Sequence, residues 1–245
     1  MANILEVCAG SYASVLAARR GGAARIELCS ALAEGGVTPS LGLIRATVGV
    51  EGIRKHVLIR PRGGDFLYVE EEQRIMADDI RTARELGADG VVVGALTADG
   101  RIDLPAMERF MEAAQGMSVT FHRAFDLCRD PAEALEDIVR LGCHRILTSG
   151  QAPTAEQGIP LLRSLVQQAA GRIGILPGGG VGAGNAAHIL NSTGAMELHA
   201  SARSLWQSPM RFRHPGVAMG APGSDEYSWM ETSAQCVRDI LASIS

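Results

Sequence analysis

The chain has 245 residues, 47% apolar and 20% charged, with a formal net charge of -4. That balance argues against disorder and supplies no basic field for nucleic acid or an anionic membrane surface. No apolar run approaches the roughly 20 residues of a membrane span. The first strand is expected at Ile4, which leaves no room for a signal peptide, and five widely spaced cysteines do not make a secreted disulfide framework, so a cytoplasmic protein with free thiols is expected.

Taken in chain order, β-rich runs at 4–9, 24–30, 56–62, 90–96, 118–126, 145–150, 172–177 and 195–201 alternate with longer amphipathic stretches. Ser11 is expected to cap the first helix, Thr38-Pro39-Ser40 to open the second, and Asp130-Pro131 to place a proline in a first helical turn. Gly21, Gly87 and Gly142 fall where helices should stop. Residues 205–225, rich in Pro, Gly, Met and Ser, read as a long loop over the C-terminal face, followed by a final helix over 227–244. Arg211, Arg213 and His214 in that loop either close over an anion or are ordinary surface charges. Eight βα units with no break in composition predict an α/β fold, a single (β/α)8 TIM barrel over 1–245. A doubly wound sheet is the rival, but no G-x-G-x-x-G follows the first strand.

Three strands carry nearly the same triplet: Glu6-Val7-Cys8, Glu27-Leu28-Cys29 and Glu197-Leu198-His199. Side chains alternate along a strand, so the Glu and the Cys or His of each triplet share one face. In a closed barrel strand eight neighbours strand one, so the triplets fall on three adjacent strands, eight, one and two. Buried carboxylates require a cation, a metal or a ligand. Arg60 and Arg62 on strand three, with Thr120 and His122 on strand five, are expected to face them. The set is either a structural Glu–Arg network or a catalytic one, in which Glu6, Glu27, Glu197, His122 and His199 move protons and Arg60 steadies negative charge. Sequence does not say which group is acid and which is base.

Adjacent strands lie about 4.8 Å apart, so if the sulfurs of Cys8 and Cys29 sit at one level they can clasp a soft ion, monovalent copper or zinc, with His199 as a third ligand. The alternative is that both are small core residues. After strand seven comes Pro177-Gly178-Gly179-Gly180-Val181-Gly182, and after strand eight Ser201-Ala202-Arg203. Gly178, Gly179, Gly180, Ser201 and Arg203 form a candidate anion cradle, since loops after these strands, with glycine amides and a helix N-terminus, bind phosphate in this fold. Arg62-Gly63-Gly64 is either a second anion subsite or a solvated loop.

The residues resemble the CutC family of copper homeostasis proteins. The matching blocks are Glu6-Val7-Cys8, the run from Gly22 to Cys29, Glu34-Gly35-Gly36-Val37-Thr38-Pro39-Ser40, the run from Ile59 to Phe66, the run from Thr120 to Asp126, Leu147-Thr148-Ser149-Gly150, the run from Glu197 to Ser201, and Ser208-Pro209-Met210-Arg211. The resemblance implies a cytoplasmic TIM barrel that forms a homo-oligomer, binds copper and serves copper tolerance, with Cys8 and Cys29 at the positions for the copper ligands. Two expectations follow: a copper-binding protein, or an enzyme acting on a small phosphorylated or carboxylated metabolite. The expected partner is accordingly a copper ion or a small anionic metabolite, with no nucleic acid and no membrane.

Overall fold

The computed structural model describes residues 3–214, 216, 217, 219 and 225–245. Strands β1 (Ile4–Ala9), β2 (Arg25–Leu28), β3 (Arg54–Leu58), β4 (Gly90–Val93), β5 (Ser118–Phe121), β6 (Arg145–Thr148), β7 (Gly174–Pro177) and β8 (Glu197–Ala200) pair in parallel in the order β7-β6-β5-β4-β3-β2-β1-β8. A parallel bridge between Gly178 and His199 joins the two ends into a barrel. Helices α1 (Tyr12–Gly21), α2 (Leu41–Val48), α3 (Glu70–Glu85), α4 (Leu104–Ala113), α5 (Pro131–Arg140), α6 (Ile159–Ala169), α7 (Ala186–Thr193) and α8 (Ala234–Ser243) complete the (β/α)8 pattern. Among the described residues no helix is long and apolar enough to cross a membrane.

The helix signals act as their chemistry requires. Ser11, Ser40 and Asp130 accept hydrogen bonds from the amides of Ser14, Leu43 and Ala132 at 3.0, 3.2 and 2.9 Å, each satisfying an otherwise orphaned donor of a first turn. At the end of α1 the left-handed residue is Gly22 (φ 94°), while Gly21 is required for closeness: a Cβ there would lie 2.5 Å from Val237 of α8.

Alternation along each strand divides the apolar residues in two. Outward residues such as Leu5, Val7, Ile26, Leu28, Val57, Val91, Phe121 and Leu198 join the helices in one large core. Burial of each such side chain contributes about 1.5–3 kcal/mol. Inside the barrel a small separate apolar group, Cys8, Cys29, Leu58 and Val92, and the inward Leu147 and Leu176 of β6 and β7 sit among polar and glycine positions.

Three stretches differ from expectation. β3 spans Arg54–Leu58, so Arg60 lies beyond its end, and after β5 the chain turns into a 3-10 helix, Arg123–Leu127, instead of continuing as strand. Beyond β8 no long loop begins at 205. Residues Arg203–Gln207 form β9, and Ser228–Thr232 form β10 where a helix was expected. The two pair antiparallel, with Trp206 opposite Trp229 and Leu205 opposite Met230; aromatic and apolar cross-strand pairs favour ribbon over loop or helix here. The ribbon is fastened to the barrel where Glu231 accepts hydrogen bonds from Ser11 and Ser14 and the Thr232 hydroxyl donates to the Cys8 carbonyl at 3.4 Å. Residues 215, 218 and 220–224 of the expected loop lie outside the described residues. Arg213 stacks on Tyr227 at 4.6 Å, and the His214 amide donates to the Tyr227 hydroxyl.

Gly90, facing inward on β4, leaves the space that His56 fills: a Cβ there would lie 2.5 Å from the Ser118 carbonyl and 2.7 Å from the His56 ring. Gly90→Ala is expected to lower unfolding stability by about 1–3 kcal/mol, read as a fall in the urea midpoint with unchanged slope.

Candidate active site at the barrel mouth

The strand register sets the level of every inward side chain. Glu6 lies opposite both Arg25 on β2 and His199 on β8, while Cys8 lies opposite Glu27 and Ile4 opposite Glu197. The three triplets are thus offset by two residues from strand to strand, which is the stagger a closed parallel barrel demands. Within the lower barrel this produces a continuous ionic chain. Arg25 donates to Glu6 and to Glu197, Arg145 donates to Glu197 at 2.9 Å and to the Ser118 hydroxyl at 2.8 Å, and His199 Nδ1 lies 2.8 Å from Glu6 Oε1. Sequence reasoning named Glu6, Glu197 and His199 but missed Arg25 and Arg145. Arg25 shares the parity of Glu27, and that signal was available.

Above this chain, Nε2 of His199 lies 3.8 Å from Glu27 Oε2. Burial opposes the charge on His199, but the Glu27 carboxylate, the Cys8 sulfur and Glu6 outweigh it and hold the ring well above the usual imidazole range, as an imidazolium. Burial likewise pushes the Glu6 carboxyl up, yet the hydrogen bond to His199 and the charge of Arg25 leave it far below the carboxylate range. Among the described residues Glu27 has no arginine partner; burial, only partly offset by His199, pushes its carboxyl up to about 7.

The stagger also separates the two sulfurs. Cys8 lies level with Glu27, and Cys29 lies two residues further along β2, so the expectation of two thiols at one level is not met. Cys29 is fully buried, its Sγ 3.7 Å from the Ala9 carbonyl, and burial pushes its thiol far up; Leu58 and Val92 surround the pair. This donor set does not fit a ready-made clasp for a soft ion, which needs accessible thiolates. Among the described residues no group of three or more His, Cys, Asp or Glu side chains is disposed to hold a metal.

A cavity of about 260 Å³ opens over this floor at the C-terminal end of the strands, and Cys8, Glu27, Arg60, His122, His199, Gly179, Gly180, Ser201 and Arg203 all line it. Glu6 and Glu197 lie beneath, in the ionic chain. Gly178 is drawn back into the sheet, its amide donating to the Thr148 carbonyl at 3.0 Å. The amides of Gly179 and Gly180 have no protein acceptor among the described residues, and both glycines have positive φ (104° and 72°). No helix opens directly after β8: Ala202 (φ 45°) turns the chain straight into β9, and Arg203 is its first residue. The cradle is therefore built of loop amides, Ser201 and Arg203.

Arg60 is tied down on the rim. Its Nη1 donates to the carbonyls of Glu34 and Gly36, both at 2.9 Å, its Nη2 to that of Gly64 at 2.7 Å, and the guanidinium lies 4.9 Å over the Phe66 ring. Arg62 instead pairs with Glu72 at 2.7 Å and Asp65 at 3.1 Å, which makes it the solvated loop residue of the two alternatives. Arg123 was not expected at the site, since it has the wrong parity for β5. The 3-10 turn brings it to the cavity, where Asp126 at 2.7 Å and Ser149 at 2.9 Å hold it. Arg211, Arg213 and His214 do not line the cavity. The walls thus carry Arg60, Arg123, Arg203 and the His199 imidazolium against one carboxylate, Glu27, with Leu32, Leu58, Phe66, Leu147 and Val181 supplying apolar surface.

Residues 3–204 match the model of the CutC family. A protein of Bacteroides thetaiotaomicron named family protein CutC is 56% identical over 241 residues, covering 98% of this chain and 97% of its own. One of the same name from Chromobacterium violaceum is 52% identical, with coverage of 98% and 97%. The solved structure of a Streptococcus agalactiae protein that carries the copper homeostasis name CutC superposes with a TM-score of 0.78 at 38% identity, over 81% of this chain and 98% of that one. The thiamine phosphate pyrophosphorylase of Pyrococcus furiosus, at 16% identity and a TM-score of 0.60, shares the fold alone.

Because the folded Glu27 carboxyl holds its proton up to about pH 7 while the unfolded one releases it near 4.5, its contribution to stability is complete below the lower value and is lost as pH rises through the upper. The native chain is therefore expected to lose stability relative to Glu27→Gln between pH 4.5 and 7, measured as diverging urea midpoints.

Proposed function

We propose, for a chain that belongs to the CutC family, that the barrel mouth is an enzyme site for a small phosphorylated or carboxylated metabolite. One observation carries this reading: three buried N–H donors, Nε of Arg60, Nε2 of His122 and Nε of Arg203, lack a partner among the described residues, and all three residues line the same cavity. Buried polar groups in proteins nearly always find a partner; His56 Nδ1, Tyr68 Oη and Thr120 Oγ1 also lack one among the described residues, but away from the cavity wall, and the three donors gathered on that wall call for a ligand rich in acceptor oxygens. The excess of positive charge on the walls favours an anion, and the Gly179 and Gly180 amides with Ser201 and Arg203 are free to hold its charged group.

Glu27 supplies the chemistry. A carboxyl pushed up to about 7 is half ionised near neutrality and suits a general base. His199, kept charged and oriented by Glu6, is the matching acid on the same wall. The fixed charge of Arg60 stabilises negative charge that develops on the ligand.

The family name brings a second reading, a protein that binds monovalent copper through Cys8 and Cys29. Its support is the name carried by the S. agalactiae relative and the place of Cys8 on the cavity wall. The stagger and the burial of Cys29 count against it.

Two measurements test these readings. Incubated in D2O with a panel of carboxylated and phosphorylated metabolites, the native chain is expected to catalyse deuterium incorporation or conversion of at least one class. Glu27→Gln should lose this by about 10²–10⁴-fold, and Arg203→Ala should need more substrate for half-saturation. No turnover, together with no binding of phosphate or carboxylate, overturns the enzyme reading. In a titration with monovalent copper under a competing chelator, the Cys8→Ser, Cys29→Ser double variant is expected to behave as the native chain; tight stoichiometric binding lost in the variant would establish the copper reading instead.

A further inference from the structure

We infer that the ligand of this cavity is a carbonyl compound, an oxo acid or the phosphate ester of a ketone or aldehyde, whose carbonyl oxygen accepts the Nε2–H of His122. The inference rests on the reading of the barrel mouth as an anion-binding acid–base site and adds the class of its ligand.

His122 directly follows β5 and caps the 3-10 turn Arg123–Leu127, its Nδ1 accepting the Ala124 amide at 3.2 Å. A nitrogen that accepts carries no proton, so in the neutral ring the proton sits on Nε2. The ring cannot swivel to hide it. Phe66 lies against one side at 4.8 Å between centroids, Phe121 stands edge-on at 6.0 Å, and Gly94 closes the β4 side, where a Cβ would sit 2.7 Å from Nδ1. Nε2 is nevertheless buried and without a protein partner, and the residue lines the cavity.

The ring is also kept from charging: burial and the nearby Arg60 push its pKa down to about 3. His122 is thus a permanently neutral, fixed donor that neither gives nor takes a proton across the physiological range. Arg60 packs on the same Phe66 ring, and its Nε is a second buried donor without a partner among the described residues. A carbonyl oxygen has two lone pairs and no hydrogen, so it accepts the His122 N–H and keeps a lone pair for a second donor. A hydroxyl there would have to place its own hydrogen, and Glu27 is the single carboxylate on the cavity wall. An ammonium group is excluded because it has nothing to accept with. The preorganised donors have a chemical consequence. They stabilise charge on the oxygen, which makes the adjoining C–H bond acidic. Glu27 takes that proton, the C–H pair becomes a C=C bond, and the carbonyl pair moves to the oxygen held by His122.

The test uses the full chain labelled with ¹⁵N-histidine and two matched pairs of probes: dihydroxyacetone phosphate against glycerol 3-phosphate, and 2-oxobutyrate against 2-hydroxybutyrate, with inorganic phosphate as competitor. The free protein should show His122 protonated on Nε2. The carbonyl member of at least one pair should bind about ten-fold more tightly than its alcohol, as one added hydrogen bond to a buried donor predicts, and should move the Nε2 proton downfield. Inorganic phosphate should compete without moving it. Equal affinity within both pairs, a proton on Nδ1, or an Nε2 signal unmoved at saturation overturns the inference while the anion site stands. If none of the probes nor phosphate binds, the anion-site reading fails and this inference fails with it.

Discussion

Arg25, buried inside the barrel between Glu6 and Glu197, is the interaction on which the rest of the site depends. A TIM barrel usually fills its interior with layers of branched apolar side chains; here the lower interior is filled with charge. Such charges are tolerable only when each has a partner, and removing one member of a buried pair typically costs about 3–5 kcal/mol because the other is left uncompensated. With Arg145 on one side and His199 on the other, the chain of contacts runs from Ser118 near the barrel floor to Glu27 at the base of the cavity. Glu6 is locked as a carboxylate by this arrangement, and that in turn fixes the orientation and the charge of His199.

The interior therefore has two halves with opposite states of satisfaction. Below, the charges are matched: Arg25, Arg145 and His199 each meet a carboxylate. At the mouth, donors exceed acceptors, and the excess lies on residues whose other atoms are firmly anchored: Arg60 by three backbone carbonyls, Arg123 by Asp126 and Ser149, His122 by the Ala124 amide. Rigid groups with spare hydrogen-bonding capacity are what preorganised binding requires, since no reorganisation is needed when the ligand arrives. The structural reading of the Glu–Arg network and the catalytic reading of the mouth are in this molecule two layers of one construction.

Much of this was legible in the sequence because strand alternation is a strong constraint. The parity of Glu6, Glu27, Glu197, His199 and His122 placed all five inside a barrel whose eight βα units were visible as alternating patterns. What sequence could not supply was level. The triplets Glu6-Val7-Cys8 and Glu27-Leu28-Cys29 look alike, which suggested two thiols side by side, but the stagger between β1 and β2 sets Cys8 against Glu27. Level also hid the role of Arg25, whose partners stand on two other strands. At 205–207 and 228–232 strands stand where a loop and a helix were expected, because the pairing of Trp206 with Trp229 is a long-range event that local composition does not show. His122 was named as a candidate, yet its tautomer rests on the turn that follows it, which no periodicity reveals.

The ring of strands closes between β7 and β8 through the single parallel bridge of Gly178 and His199, whereas β8 joins β1 along a four-residue ladder. Cooperative units open where few hydrogen bonds hold them, which makes this closure the weakest backbone joint in the circle. His199 sits on it, with its ring tied to Glu6 on the strongly paired side. A side-chain contact therefore reinforces the seam that the backbone leaves thin, and any local parting of β7 from β8 leaves the imidazolium with β1 and carries the glycine loop away from it. The acid and the anion cradle stand on opposite banks of the same joint.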